Sequence, residues 1–314
     1  MITVVGESLV DVVIRSDRDE VNVHPGGSPA NVAVALSRLG QRTELVTQFG
    51  ADDYGDLIRA HLETNGVEVV LAGRRRGGTA APTSRALAHL DTSGGATYEF
   101  DLDWDVEDLR IADGSSALHV GSLGLALAPG DTQVLRLVDS VSRRGDVIIS
   151  YDPNVRPSVV ATRREAVART EKVAAQAHVV KMSDEDAAFL FPGASPDQLA
   201  TRLLNTGTRA TQLLVITAGP RGAIIATRNS RFSVANVPVT VVDTVGAGDA
   251  FTAALLAGLA DCRLLSPPAL ASCVTTQLES LRRIVEQAMA AAALTCTRPG
   301  ADPPTMEELR RFMG

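Results

Sequence analysis

The sequence predicts an α/β protein of three layers, a mainly parallel central sheet with helices on both faces, and a small β-sheet standing off it. Three observations carry this. Short apolar runs, Thr3-Val4-Val5, Glu44-Leu45-Val46-Thr47, Val147-Ile148-Ile149-Ser150, Val179-Val180 and Leu213-Leu214-Val215-Ile216, have the character of strands buried on both faces. Between them lie Ala-, Leu- and Arg-rich segments of helical character, and that alternation is the mark of a parallel sheet covered by crossover helices. Residues 9–24 and 83–104 depart from the pattern by alternating apolar with polar side chains, as strands with one wet face do.

Taken in order, the opening Met1-Ile2-Thr3-Val4-Val5-Gly6-Glu7 has no basic region and meets a carboxylate at once, so neither a signal peptide nor a membrane anchor is expected. A helix is predicted from Ser28 to Gly40, with Ser28 as its cap, Pro29 in its first turn and Gly40 as its left-handed stop. Val32, Leu36 and Leu39 form its apolar side. Further on, Ser84 to Leu90 followed by Asp91-Thr92-Ser93-Gly94-Gly95 reads as an exposed strand and a hairpin turn. Residues 9–24 and 83–104 together suit a small sheet, either a lid over a cleft or an ordinary edge hairpin. The Ala-rich stretch Leu278 to Thr297, with Ala290 to Ala293, suits a helix packed closely against its neighbours. The chain has 314 residues and neither a repeat nor a linker long enough to divide it, so residues 1–314 are read as one α/β domain with the small sheet attached.

Composition narrows the function. Hydrophobic residues make up 45% and charged residues 21%, an ordinary globular balance that argues against disorder. The net charge of −7 removes any global electrostatic case for binding nucleic acid or an anionic membrane and leaves a small molecule as the expected partner. The cluster Arg74-Arg75-Arg76 reads as a solvated loop. Cys262, Cys273 and Cys296 lack CxxC-type spacing, which argues against a disulfide framework or zinc site and for a reducing, cytoplasmic location. The five histidines are scattered without ligand or triad spacing, and the acidic run Asp101 to Asp105 around Trp104 reads as a strand end rather than a metal site.

Chemistry concentrates in Asp243-Thr244-Val245-Gly246-Ala247-Gly248-Asp249-Ala250-Phe251, ahead of an apolar helix. Glycines just before a helix leave backbone N–H groups uncovered, the helix dipole adds positive potential, and phosphate is the natural occupant. Gly246, Ala247 and Gly248 therefore form an anion hole. Asp249, in the first turn, lies where a carboxylate takes the proton of a hydroxyl attacking that phosphate. Phe251 stands where the last small residue of a GxGxxG fingerprint belongs and no P-loop Gly-Lys-Ser/Thr follows, so dehydrogenase and Walker-type readings lack their central element.

This nine-residue string resembles the C-terminal signature of the ribokinase-like, phosphofructokinase-B-type carbohydrate kinases. Gly26-Gly27-Ser28-Pro29-Ala30-Asn31-Val32-Ala33 with Leu39-Gly40 is similar to the family's N-terminal signature. The likeness continues through Gly50-Ala51-Asp52-Asp53-Tyr54-Gly55, Asp152-Pro153-Asn154-Val155-Arg156, Lys181-Met182-Ser183-Asp184-Glu185-Asp186 and Thr217-Ala218-Gly219-Pro220-Arg221-Gly222-Ala223, so it covers nearly the whole chain. Within the family, bacterial fructokinases look most alike, with 2-keto-3-deoxygluconate kinases close behind.

The resemblance implies a ribokinase-like αβα sandwich with a β lid, and transfer of the γ-phosphate of ATP to a small sugar, fructose first, with 2-keto-3-deoxygluconate or ribose as alternatives. It implies Asp11, Gly26, Gly27 and Asn31 at the sugar. Gly27 suits close backbone approach and Asn31 offers a donor and an acceptor. Arg156 suits either a clamp on a substrate carboxylate or phosphate, or a structural pair with Asp152. Lys181, Ser183, Thr217, Gly219, Gly222 and Gly248 are implied at the nucleotide. Where many members carry Asn-x-x-Glu to order magnesium, this chain has Ser183 and Asp186, one carbon shorter, with Glu185 as a substitute candidate; Asp186 is read as holding Mg2+ through water. Asp243 and the backbone at Val245 match positions that bind a monovalent cation in relatives, which makes K+ a further candidate, and a homodimer through the lid is compatible with the alternating strands. A non-catalytic sugar- or nucleotide-binding regulator is the rival of another class, and aromatic residues at only 4% make a nucleoside substrate the less attractive one.

Overall fold

The computed structural model describes residues 1–15, 21–73, 81–90, 96–204 and 211–314. The Arg74–Arg76 cluster and the Asp91–Gly95 turn lie outside the described residues.

The chain opens with β1 (Ile2–Val5), β2 (Leu9–Arg15), β3 (Val21–Gly26), α1 (Ser28–Arg38), β4 (Thr43–Thr47), α2 (Asp53–Thr64) and β5 (Glu68–Leu71). Then come β6 (Arg85–Leu90), β7 (Ala96–Asp101), β8 (Ala117–Gly121), α3 (Gly130–Arg144), β9 (Ile148–Asp152), α4 (Arg163–Ala174), β10 (Val179–Ser183), α5 (Asp184–Leu190) and α6 (Pro196–Leu204). The last part holds β11 (Leu213–Thr217), β12 (Ala223–Ala226), β13 (Arg231–Val234), α7 (Ala247–Asp261), α8 (Pro267–Thr276), α9 (Leu278–Thr295) and α10 (Met306–Met313). Among the described residues, nine strands form one sheet in the order β13-β12-β11-β10-β9-β8-β1-β4-β5, parallel from β11 to β5 and closed at the other edge by antiparallel β12 and β13. Four strands form the second sheet in the order β3-β2-β6-β7. Its members are the two alternating stretches, as their pattern predicts.

Because successive strand residues point to opposite faces, each buried strand feeds two cores. On one face Ile2, Val4, Ala117, Ile148, Val179 and Leu213 pack with Leu36 of α1, Phe251 and Leu255 of α7 and Leu281 of α9. On the other, Val5, Leu118, Val120, Ile149, Val180 and Leu214 pack with Val138 of α3, Val173 of α4, Leu190 of α5 and Leu203 of α6. The expected three layers follow.

Helix α7 decides where the site falls. Every residue from Asp249 to Leu259 is buried, so the helix is apolar all round and sits between α1, α9 and the sheet. The Ala-rich stretch packs closely as α9, with Ala288, Ala290, Ala291 and Ala293 buried, and α7 meets it at Gly258, where a methyl would lie 2.8 Å from Ile284. One expectation needs correcting. Ser28 does not cap α1; Gly27 holds the cap position without a side-chain bond, and Ser28 is the first helical residue, free to point elsewhere. Gly40 follows α1 with φ 81°, as its stop role requires. Among the described residues, no helix is long and apolar enough to cross a membrane.

Phe251 is 1% exposed within this core, so Phe251→Ala should lower stability by about 3–5 kcal/mol in chemical denaturation.

Candidate active site

The loop before α7 turns on Gly246, at φ 76°, a left-handed conformation that a side chain would strain, and a methyl there would lie 2.6 Å from Ala301. Ala247 then begins the helix, so Gly248 and Asp249 fall in the first turn, whose N–H groups have no carbonyl four residues back. Asp243 organises the approach: its carboxylate accepts from Val245 N at 3.0 Å and Gly300 N at 2.8 Å. Burial pushes the Asp243 pKa up, but N–H donors from Val245, Gly300 and Thr244 outweigh it and the net direction is down. The Cys296 carbonyl pins the same loop through the N–H groups of Val242 and Asp243, while Met289 packs in the core.

Asp249 is buried and held from α1. Ser28 Oγ donates to Oδ1 at 2.6 Å and Asn31 Nδ2 donates to Oδ2 at 2.9 Å. Burial raises its pKa above the usual carboxylate value, against the opposing pull of Ser28, Asn31 and the Lys181 ammonium. Ser28 and Asn31, one turn apart, present both donors on the same side of α1.

Beneath the glycines the sheet contributes charge instead of apolar side chains. Lys181 of β10 is 5% exposed and donates to Asp152 Oδ2 of β9 at 2.8 Å. Thr252 Oγ lies 3.0 Å from Gly248 O and 3.4 Å from Asp152 Oδ2. The pairing of Arg156 with Asp152 is therefore corrected: Arg156 is exposed and donates to Asn154 Oδ1 at 2.6 Å. Lys181 sits under the glycine loop, directed at Asp152.

On the second sheet, Asp11 of β2 stands opposite His24 of β3. A methyl at Gly26 would lie 2.3 Å from Asp11 Oδ2, so the missing side chain is what gives that carboxylate its place. Burial raises the Asp11 pKa, with His24 and Arg156 opposing, which puts Arg156 within electrostatic reach of it. Gly27, at φ 100°, turns the chain into α1 with only 2.7 Å between a would-be methyl and Glu7 O. Glu7 itself is buried, accepts from Gly124 N at 2.8 Å, and is pushed by burial up to about 7.

Asp186 and Ser183 form a capping box at the start of α5: Asp186 Oδ2 accepts from Ser183 N and Oγ, while Oδ1 accepts from Val155 N at 2.7 Å. The shortened carboxylate thus ties α5 to the loop carrying Arg156. Glu185 is exposed. Thr217 ends β11, and Gly219 and Gly222 form a separate turn in which a methyl at Gly222 would lie 2.1 Å from Val234 O. Among the described residues, no group of three or more His, Cys, Asp or Glu is placed to hold a metal ion.

A buried carboxylate and an open-ended helix start, joined by side chains from the two glycine-bearing signatures, call for comparison with known proteins. The profile of the pfkB family carbohydrate kinases matches residues 1–308. The chain belongs to the pfkB carbohydrate kinase family. As such it is a phosphotransferase acting on a sugar. A fructokinase from Rhizobium leguminosarum bv. trifolii is 35% identical over 285 residues, 87% of this chain and 83% of that protein. The crystal structure of a fructokinase from Xylella fastidiosa with bound ATP has a TM-score of 0.84 at 26% identity, covering 99% of this chain and 98% of that one. A fructokinase double mutant from Vibrio cholerae O395, in a fructose-, ADP- and potassium-bound form, has a TM-score of 0.80 at 26% identity, covering 100% and 98%. The ribokinase-like fold expected from the sequence is the one observed.

Two glycine substitutions separate strain from crowding. Gly40 has a positive φ with nothing within 4 Å of a would-be methyl, whereas Gly27 has both a positive φ and the Glu7 carbonyl in the way. Gly40→Ala should cost about 1–2 kcal/mol in urea denaturation, the left-handed penalty alone, and Gly27→Ala more than that.

Proposed function

We propose that this protein is an ATP-dependent fructokinase that phosphorylates a terminal hydroxyl of the sugar, with Asp249 as the base. The observation that carries the reading is the Asp249 carboxylate, buried with both oxygens held by Ser28 and Asn31 at the open start of α7. A group so held needs little reorganisation when the hydroxyl arrives, and its raised pKa makes it a stronger acceptor than a free aspartate.

In this mechanism Asp11 accepts hydrogen bonds from sugar hydroxyls, Gly26 and Gly27 let the sugar approach the backbone, and Asn31 keeps its amide oxygen for the substrate while its nitrogen serves Asp249. Asp249 takes the hydroxyl proton as the oxygen attacks the γ-phosphorus, the bond to the bridging oxygen breaks, and ADP leaves. The amides of Gly246 and Gly248 stabilise charge on the moving phosphoryl group, while the Ala247 amide, expected in the same role, donates to Thr244 O at 3.3 Å. Ser183, Thr217, Gly219 and Gly222 line the nucleotide side, while Lys181 is directed at Asp152 beneath the glycine turn. The second sheet, β3-β2-β6-β7, acts as a lid that excludes water, a competing acceptor, and is the surface through which a homodimer would form.

The donor set fits magnesium held chiefly by phosphates and water. Asp186 Oδ2 already accepts twice from Ser183, but Oδ1 accepts only from Val155 and keeps a second lone pair, enough for a water-mediated contact. Bound there, Mg2+ would neutralise phosphate charge. Asp243 and the Val245 backbone, already joined at 3.0 Å, are the candidate site for K+.

Arg156 favours one alternative substrate. Exposed, and near enough to oppose the rise of the Asp11 pKa, its guanidinium suits a substrate carboxylate, as in 2-keto-3-deoxygluconate.

Purified protein with MgATP should release ADP selectively with fructose across a panel that also holds ribose, 2-keto-3-deoxygluconate, tagatose and adenosine. Turnover confined to the keto-deoxy acid, abolished by Arg156→Ala, would move the substrate assignment. Binding of sugar and ATP by calorimetry without turnover would favour a regulator. Asp249→Asn should lower kcat by about 10²–10⁴ with the fold retained by circular dichroism. The base works only when ionised, and its pKa is raised, so turnover should fall as pH drops through a value above the usual carboxylate range; a limb at or below that range counts against Asp249 as base.

A further inference from the structure

Lys181 is the buried cation at the centre of this site. Its neighbours come from four elements: Asp152 on β9, Asp249 on α7, Asp186 on α5 and His119 on β8. Burial and Lys181 push the His119 pKa down to about 3, and its ring nitrogen meets Ser150 Oγ at 3.1 Å, so it is neutral and adds no charge. Asp152 bonds the ammonium directly, whereas Asp249 and Asp186 act on it through the field, the Asp186 oxygens being engaged by Val155 and Ser183. Ser28 and Asn31, which approach Asp249 from α1, are uncharged.

The position of the nitrogen is defined from two sides. Val180 and Tyr151 are register partners, which sets Lys181 beside Asp152 on adjacent parallel strands, and the 2.8 Å bond follows from that register. From above, a methyl on Gly248 would lie 3.0 Å from Nζ, so the glycine next to the base is what lets the ammonium rise against the start of α7. Thr252 spans the same gap between Gly248 O and Asp152.

We infer that Lys181, pinned by Asp152 under Gly248, is a positioning residue: the fixed positive charge that keeps Asp249 in its proton-accepting form. The inference rests on the reading of Asp249 as the base. Two carboxylates in one low-dielectric pocket do not both stay ionised without a cation between them, and a protonated Asp249 has nothing to offer an attacking hydroxyl. The ammonium of Lys181 lowers the Asp249 pKa and the carboxylate of Asp152 raises it. The role differs from a grip on nucleotide phosphate, which would act on ATP affinity and leave the base alone.

The test is the pH dependence of kcat/KM for the sugar, with KM for ATP measured alongside, in the wild type, Lys181→Met, Lys181→Arg, Asp152→Asn and Asp249→Asn, each checked for folding by near-ultraviolet circular dichroism. Lys181→Met should move the acid limb upward by about one pH unit or more, so that activity lost on the acid side returns at higher pH while KM for ATP changes little. Lys181→Arg should hold the limb near its wild-type place. Asp152→Asn should move it the other way, downward, and decides the matter if Lys181→Met does not fold. A loss that is uniform in pH, a raised KM for ATP with an unmoved limb, or an Asp152→Asn limb that stays put or rises would overturn the inference. Asp249→Asn separates the two claims: if it still turns over, the base assignment has failed whatever Lys181 does, and if it is inactive while Lys181→Met keeps the wild-type limb, only the present inference has failed.

Discussion

Ser28 and Asn31 of α1 hold both oxygens of Asp249, the third residue of α7, across more than 200 positions of sequence, and the architecture can be followed outward from that contact. For the two helix starts to meet, α1 and α7 must lie side by side on one face of the parallel sheet. The buried seam of Leu36, Phe251 and Leu255 keeps them there. Both helices follow a glycine of positive φ, Gly27 and Gly246, so the chain enters each of them by a sharp turn. A carboxylate buried at that junction is costly without donors, and the donors are supplied before any substrate is present.

The sheet face below repeats this logic in charged form. Apolar strand residues cover most of it, but His119, Ser150, Asp152 and Lys181 replace them directly beneath the start of α7. A buried ion pair is weak evidence for stability, since desolvation offsets much of the attraction. Its placement under the glycine turn that opens α7, with Gly248 giving way to the ammonium, points instead to the electrostatics of the site. On the far side, Asp186 spends its side chain on a capping box and on Val155, which holds the loop of Asn154 and Arg156 in register with the strands.

Much of this was legible in the residues. Strand and helix periods marked both sheets and the Ser28-to-Gly40 helix, because burial on one or two faces leaves its period in the side chains. Gly246, Gly248 and Asp249 were readable because the whole string from Asp243 to Phe251 resembles the family signature, where a glycine pair alone often does no more than cap a helix. Ser28 was misread as a cap, since a hydroxyl at a helix start usually bonds its own backbone and nothing local reveals a partner on another helix. Asp152 and Thr252 were missed as site residues for a related reason: one sat inside a motif remarked on for its arginine, the other in an apolar run. A further signal was present in Lys181, a lone cation at the end of a buried strand, which must find a carboxylate close by.

By itself the sequence determined the α/β class, the two sheets, the glycine turn before α7 and the family, because each depends on local period or on a contiguous string of residues. Only the tertiary structure decided that Ser28 serves Asp249, that Asp152 takes Lys181 and not Arg156, and that Asp186 faces its own helix start. Those are choices among competing hydrogen-bond partners. They are settled by which groups the packed sheet and helices bring within about 3 Å of one another, a distance that no spacing along the chain encodes.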